Sequence, residues 1–293
     1  MRVFQKAGLP DGVVNFIPGK GSLIGSVALA HPNLGGVHFT GSSDTFNQLW
    51  QTVSNHLGQY VSYPKLVGET GGKDFIFVHA SACPQATATA IVRGAFEYQG
   101  QKCSAASRAY IPQSLWPKIR SYLLDMMSMI RVGDVSDLST FMGAIIDESA
   151  FDRIMGYIDL AQSSPDCKII AGGKGDKTVG YFIQPTVIET TNPQHITMVE
   201  EIFGPVITVY IYPDGKYEDT LKLCDSTSPY ALTGAIFAND RKAIVTAARA
   251  LRFAAGNFYV NDKPTGAVVG MQPFGGARAS GTNDKAGGPM NLI

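Results

Sequence analysis

The sequence predicts an α/β fold with a mostly parallel sheet, and three observations predict it. Short apolar strands alternate with longer amphipathic helical stretches along most of the 293 residues. The links between them are short, as in doubly wound sheets. The composition is that of a globular chain, 45% hydrophobic and 16% charged, with length enough for one large or two medium cores.

Residues 1–7 read as the middle of a helix stopped by Gly8 and Pro10. No capping residue precedes it, so the chain is expected to be cut from a longer one. Residues 13–17, Val-Val-Asn-Phe-Ile, read as a strand ended by Pro18-Gly19, and 22–30 as a helix. A second strand, 36–40, leads through Gly41-Ser42-Ser43-Asp44 into a helix over 45–56. Residues 74–78 form a strand, and 84–98 a helix ending at Gly100. Further strands are expected over 109–112, 168–171, 206–212, 232–238 and 256–261. Helices over 115–130, 149–162, 217–225 and 241–252 separate them. Residues 263–288 are glycine-rich and loop-like.

Charge and cysteine usage narrow the function. Lys+Arg and Asp+Glu are equal at 24 each and no basic run occurs, so nucleic acid has no electrostatic footprint. No apolar stretch is long enough to span a bilayer. Cys83, Cys103, Cys167 and Cys224 are irregularly spaced and the five histidines are scattered, so neither a metal site nor a disulfide scaffold is expected. Free thiols in a chain of this size suggest a reducing compartment.

Four segments could carry chemistry. Cys103 follows a helix end and Gly100, on a loop where a thiol can face a cleft. Nearby positive charge or backbone N–H groups would lower its pKa and make it a nucleophile. A lone cysteine is more often a small buried hydrophobe. Glu69 stands before Gly71 and Gly72, and if partly desolvated it could take a proton from water. Alone it reads as a solvated turn residue. Phe39-Thr40-Gly41-Ser42-Ser43 opens a helix and presents N–H groups to a ligand, although it lacks G-x-G-x-x-G. Glu200-Glu201-Ile202-Phe203-Gly204-Pro205 places a carboxylate, able to accept from ribose hydroxyls, before a rigid turn.

Taken together and in this order, Glu69-Thr70-Gly71-Gly72-Lys73, Gly100-Gln101-Lys102-Cys103 and Glu200 through Pro205 resemble the aldehyde dehydrogenase superfamily. The match runs from Ala7-Gly8-Leu9-Pro10 to Pro273-Phe274-Gly275-Gly276. Phe96 through Ala105, Asn257 through Lys263 and Gly275 through Lys285 are similar to the glutamate-semialdehyde (pyrroline-5-carboxylate) dehydrogenases within it.

The resemblance implies an aldehyde dehydrogenase-like fold: the end of a Rossmann-type NAD-binding domain over residues 1–70, an α/β catalytic domain over 71–270, and a C-terminal segment, 271–293, returning toward the cofactor domain. It implies that Cys103 attacks the aldehyde carbon of glutamate γ-semialdehyde, with its own N–H holding the oxyanion. Hydride passes to NAD, and Glu69 activates the water that releases glutamate, the second step of proline catabolism. Gly41, Ser42, Ser43, Asp44 and Thr45 would lie along the cofactor, and Glu201 would hold the nicotinamide ribose with Phe203 nearby. Ser104, Gly266 and Ala267 would hold the substrate carboxylate, and Phe274 would wall the aldehyde tunnel. Ala267 lacks the hydroxyl that some relatives carry there.

The family's chain is about twice this long. Its upstream strands, its ribose-binding Lys, its oxyanion Asn and its oligomer-building elements are not present here. The fragment alone is therefore expected to bind NAD poorly and to turn over slowly or not at all. Full-length relatives are homo-oligomers, and the subfamily implies the mitochondrial matrix. An aldehyde dehydrogenase of other specificity, or a truncated non-catalytic paralogue, are the competing readings.

Overall fold

A computed structural model of the chain describes residues 1–268 and 270–292. The chain divides into two compact units. One takes Met1–His38 and Asp44–Leu66; the other takes Phe39–Ser43 and the chain from Val67 onward. The chain passes from one unit to the other within two strands and the start of one helix.

The first unit holds helices α1 (Arg2–Lys6) and α2 (Gly21–Leu29), the start of strand β1 (Gly36–Thr40), nearly all of α3 (Ser43–Asn55) and the start of β2 (Lys65–Glu69). β1 pairs with β2. Helix α3 is amphipathic and buries Phe46 and Val53, with Phe46 edge-on to Trp50. The strand expected over 13–17 does not form. Val13, Phe16 and Ile17 are exposed, and no neighbouring strand among the described residues takes up this backbone. Apolar alternation makes a strand only where a partner satisfies its N–H and C=O groups.

The second unit runs β3 (Asp74–Val78), α4 (Pro84–Phe96), β4 (Ala106–Pro112), α5 (Trp116–Ser128), α6 (Glu148–Ser163) and β5 (Cys167–Ala171). It continues through β6 (Gly175–Asp176), β7 (Phe182–Ile183), β8 (Thr186–Thr190), α7 (Ile196–Val199), β9 (Val206–Tyr212), α8 (Tyr217–Ser226) and β10 (Tyr230–Ala231). It ends with β11 (Thr233–Phe237), α9 (Arg241–Ala250), β12 (Asn257–Val260) and β13 (Ala277–Arg278). Seven strands form one sheet in the order β12-β11-β3-β4-β9-β8-β5. Every pair in it is parallel except β5 with β8.

Helices cover both faces, and side-chain alternation along each strand decides which residue meets which layer. Ile76, Val78, Ala109, Ile111, Ile207 and Val209 pack on α4 and α5. Phe75, Phe77, Tyr110 and Tyr212 point the other way, toward α8 and α9. A third cluster joins α6 to β8 through Ile154, Ile158 and Ile188. β3, buried at every position, is apolar on both faces for this reason. β4 begins at Ala106, earlier than expected, and β2 and β8 were not foreseen.

One charged side chain lies inside the second layer. Arg108, 1% exposed, donates from Nε to the Lys73 carbonyl at 2.7 Å and from Nη1 to Tyr110 Oη and the Cys224 carbonyl, both at 3.1 Å. Its guanidinium also stands over the Phe75 ring at 5.6 Å. Arg108→Met is expected to cost about 3–5 kcal/mol, because three buried acceptors lose their donor at once. The urea midpoint of the purified chain measures it; an unchanged midpoint would contradict this account.

Candidate active site

The residues singled out in the sequence meet at the amino ends of the central strands. Glu69 closes β2, Gly71 and Gly72 lead into β3, Cys103 lies just ahead of β4, and Glu201 lies just ahead of β9. Ligands of open α/β sheets usually sit at the carboxyl ends; here the chemistry-bearing groups gather at the other end.

The two glycines make this gathering possible. A Cβ at Gly71 would collide with the Glu201 carboxylate, and one at Gly72 with the Cys103 carbonyl. Gly72 N–H donates to Glu201 Oε1 at 2.9 Å, so the carboxylate is fixed against the strand entry. Burial pushes Glu201 above the usual carboxylate range, against the Gly72 N–H and the charges of Lys73 and Arg153, which pull it down. Phe203, in the same turn, is exposed and holds a φ of 54°.

The Cys103 loop is held under backbone strain. Tyr98 and Gln99, with φ of 53° and 58°, end the helical run of α4 earlier than its apolar period suggests. Gln99 Nε2 donates to the Ala144 carbonyl at 3.1 Å, and Gln101 Oε1 accepts from Ile146 N–H at 3.0 Å. A Cβ at Gly100, itself at φ 63°, would strike the Gly204 carbonyl. Strain this concentrated persists where the surroundings over-determine a conformation, and it fixes the loop ahead of the thiol.

The thiol does not have the lowered pKa expected from the sequence. Burial pushes Cys103 up to about 12, and Asp74, Glu69 and Glu201 add to it when they are ionised; its own backbone N–H opposes them. The sequence reading looked for cations beside the sulfur, but the groups that face it are carboxyl groups. At that value Cys103 stays protonated near neutral pH and would need a base to act as a nucleophile.

Glu69 has the properties of that base. Burial raises it to about 7, with Lys285 and the Gly276 N–H pulling the other way. It is 9% exposed, and its Oε1 has no hydrogen-bond partner among the described residues. Its backbone is clamped from two sides: Gly41 N–H donates to its carbonyl at 3.2 Å, and it bridges Gly281. Lys285 Nζ is held by the Gly256 and Gly275 carbonyls, both at 2.8 Å. A proton moved from Cys103 to Glu69 removes one of the charges that hold the thiol up.

The remaining site candidates are placed less tightly. Gly41 spends its N–H on Glu69, and Ser43 Oγ donates to the Ala279 carbonyl at 2.7 Å. Ser42 belongs to the same unit, whereas Asp44 and Thr45 lie in the first turn of α3 in the other. Ser104 is buried beside the nucleophile. Gly266 and Ala267 lie on the loop after β12, whose start, Lys263 and Pro264, packs on Gly94 along with Ala106. Phe274 is half-buried and donates its N–H to the Ala286 carbonyl at 2.8 Å.

Sequence reasoning missed a cationic cluster around Glu97, in the segment that leads to Cys103. Arg93, Lys102 at 3.3 Å and Lys263 at 3.6 Å share the single carboxylate of Glu97. Burial raises Glu97, but Lys263, Lys102 and Arg93 outweigh it and hold it below the ordinary range. Arg93 pairs with Glu97 four residues on and Lys102 follows five residues after it; the loop after β12 supplies Lys263. Among the described residues no His/Cys/Asp/Glu group could hold a metal, and no helix is long and apolar enough to cross a membrane.

A thiol and a carboxyl base brought together on this sheet define a class, and the chain belongs to the aldehyde dehydrogenase family, whose sequence pattern matches residues 1–292. It is 55% identical over 294 residues to the mitochondrial delta-1-pyrroline-5-carboxylate dehydrogenase of Dictyostelium discoideum, covering 100% of this chain and 53% of that protein. The human mitochondrial protein of the same name is 52% identical over 293 residues, covering 100% of this chain and 52% of that protein. Among solved structures, delta-pyrroline-5-carboxylate dehydrogenase from Mycobacterium tuberculosis bound with NAD superposes with a TM-score of 0.93. It is 53% identical, and the match covers 99% of this chain and 53% of that one. The chain thus spans about half the length of the curated relatives it matches.

Proposed function

We propose that this chain carries the catalytic groups of an NAD-linked dehydrogenase that oxidises L-glutamate γ-semialdehyde to L-glutamate. The observation that carries the reading is the pairing of a half-buried Cys103, held protonated near neutral pH, with Glu69, a carboxyl group raised to about 7. The sulfur attacks the aldehyde carbon while its proton goes to Glu69, and the Cys103 N–H holds the oxygen as charge develops on it. When bound, NAD supplies the hydride acceptor that turns the thiohemiacetal on Cys103 into a thioester. Glu69, ionised again, takes a proton from water as that water attacks the thioester carbon; the C–S bond breaks and the acid leaves.

The residues present fit the nicotinamide end of that cofactor. Glu201 is a half-buried carboxyl group with one oxygen fixed by Gly72, and Gly71 leaves the other its space. It would hold ribose hydroxyls, with Phe203 beside it. Gly41, Ser42, Ser43, Asp44 and Thr45 are assigned to the cofactor by family resemblance, Gly41 by its smallness, since its N–H is already engaged.

For the substrate, the resemblance to the glutamate-semialdehyde dehydrogenases points to an aldehyde that bears a carboxylate. Ser104, Gly266 and Ala267 would hold that group and Phe274 would wall the approach. The names of the relatives support a mitochondrial location; within the mitochondrion, the matrix is the compartment we propose. By the resemblance, residues 1–70, 71–270 and 271–293 would serve as cofactor, catalytic and returning segments.

NADH formation with pyrroline-5-carboxylate, against a simple alkyl aldehyde, tests the reading in the full-length protein that contains this chain. Preference for pyrroline-5-carboxylate by about tenfold or more in kcat/KM is expected, the discrimination available to a site built for a polar group. Equal use of both would sink the substrate assignment. The 293-residue chain assayed alone is expected to be far slower.

A further inference from the structure

Asp74 opens β3 two positions after Gly72 and is 1% exposed. Its Oδ1 accepts from Thr233 N–H at 2.6 Å and from Thr233 Oγ1 at 2.8 Å, which ties β3 to the start of β11. Its Oδ2 is buried and has no hydrogen-bond partner among the described residues. The same missing side chain that admits Cys103 also admits this oxygen. A Cβ on Gly72 would collide with the Cys103 carbonyl and with Asp74 Oδ2 together. Both oxygens therefore crowd the place of that one Cβ, no more than about 4.6 Å apart. Two bare acceptors so placed repel; a proton between them turns repulsion into a bond.

We propose that Asp74 is a positioning residue for the nucleophile: its neutral carboxyl group, anchored on Thr233, donates from Oδ2 to the Cys103 carbonyl and fixes the loop that carries the thiol. The surroundings favour the neutral form. Burial pushes Asp74 up to about 8; the Thr233 bonds and Arg108 pull it down and Glu201 pushes it further up. The groups that face it are Lys73 beside it, Arg108 from β4, Glu201 ahead of β9, Tyr259 from β12 and Cys103 itself. Above about pH 8 the proton leaves, the bond is lost and a negative charge stands next to the sulfur.

The inference rests on Cys103 being the nucleophile, but its test reads thiol chemistry rather than turnover. Iodoacetamide alkylation of Cys103, followed by peptide mass spectrometry with exposed Cys83 as the internal reference, is measured against pH in the full chain and in Asp74→Asn. The amide keeps both the acceptor toward Thr233 and a donor toward Cys103, and cannot ionise. Equal rates near neutral pH are expected, with the Asn variant pulling ahead by about tenfold at high pH, one pKa unit of thiol. Superimposable profiles, or a slower Asn variant at neutral pH, would overturn the proposal. In the unchanged chain with carboxyl-labelled aspartate, one 13C resonance should titrate near pH 8. Titration of every aspartate below about pH 6 would overturn it independently, because such a group would be charged at neutrality. Failure of the dehydrogenase reading would show elsewhere, as turnover surviving Cys103→Ala.

Discussion

Cys103→Ala in the full-length protein is expected to lower NAD-linked aldehyde oxidation by about 10⁴-fold or more, with the fold intact. A nucleophile that acts as a unit with its base and its oxyanion donor removes nearly all of their joint effect when it is deleted. No other thiol can replace it. Cys224 is a buried residue of α8, Cys167 opens β5 at the edge of the sheet, and Cys83 precedes α4 at the opposite end of the sheet from Cys103. The substitution removes one half-buried sulfur, so thermal unfolding should move by only a few degrees. Retention of a tenth of the activity would show that the thiol is not the group that attacks, and the thioester route would fall with it.

What could be read in the sequence, and what could not, divides along a physical line. β3 and β9 were legible at both ends because strands buried on both faces are continuous apolar runs bounded by turn residues. Helix α9 was legible at its start because Asp240 caps it, accepting from the Lys242 and Ala243 N–H groups. Residues 13–17 have the same local signature and form no strand, since pairing is decided by a neighbour and not by the segment. β2 and β8 failed in the other direction: Lys-Leu-Val-Gly-Glu and Thr-Val-Ile-Glu-Thr carry too few apolar residues to stand out, yet find partners in β1 and β9.

In the site, Cys103 and Glu69 were weak signals singly and strong ones in their shared order with Glu201. The sign of the thiol's pKa shift was not legible, because it depends on three carboxyl groups that register brings near the sulfur. Nor was Asp74, whose role turns on one orphan oxygen beside a glycine. The Glu97 cluster was hidden for the same reason: Lys263 lies far along the chain and arrives with the loop after β12.

Glu69→Gln in the full-length protein is expected to lower kcat by about 10²–10⁴-fold, the range for a positioned general base. The pH dependence gives the sharper test. The base works ionised, so activity of the parent should rise as pH passes about 7, until ionised Asp74 begins to hold the thiol back above about pH 8. In the Gln variant that limb should vanish. Hydroxylamine attacks a thioester without needing a base, so it should restore part of the turnover to Glu69→Gln and none to Cys103→Ala; equal rescue of both, or of neither, would exclude a thioester that Glu69 helps to hydrolyse. Stability should move the opposite way. Because the folded carboxyl group sits at about 7 and the ordinary value is 4.5, its contribution is complete below about 4.5 and is lost as pH rises through 7. Above pH 7 the native state holds a desolvated charge that glutamine does not carry. Glu69→Gln should therefore be the more stable protein there, by up to about 3 kcal/mol, and should converge with the parent near pH 5. A base kept out of water costs folding energy at the pH where it works, and unfolding midpoints of the two proteins at both pH values would expose that cost.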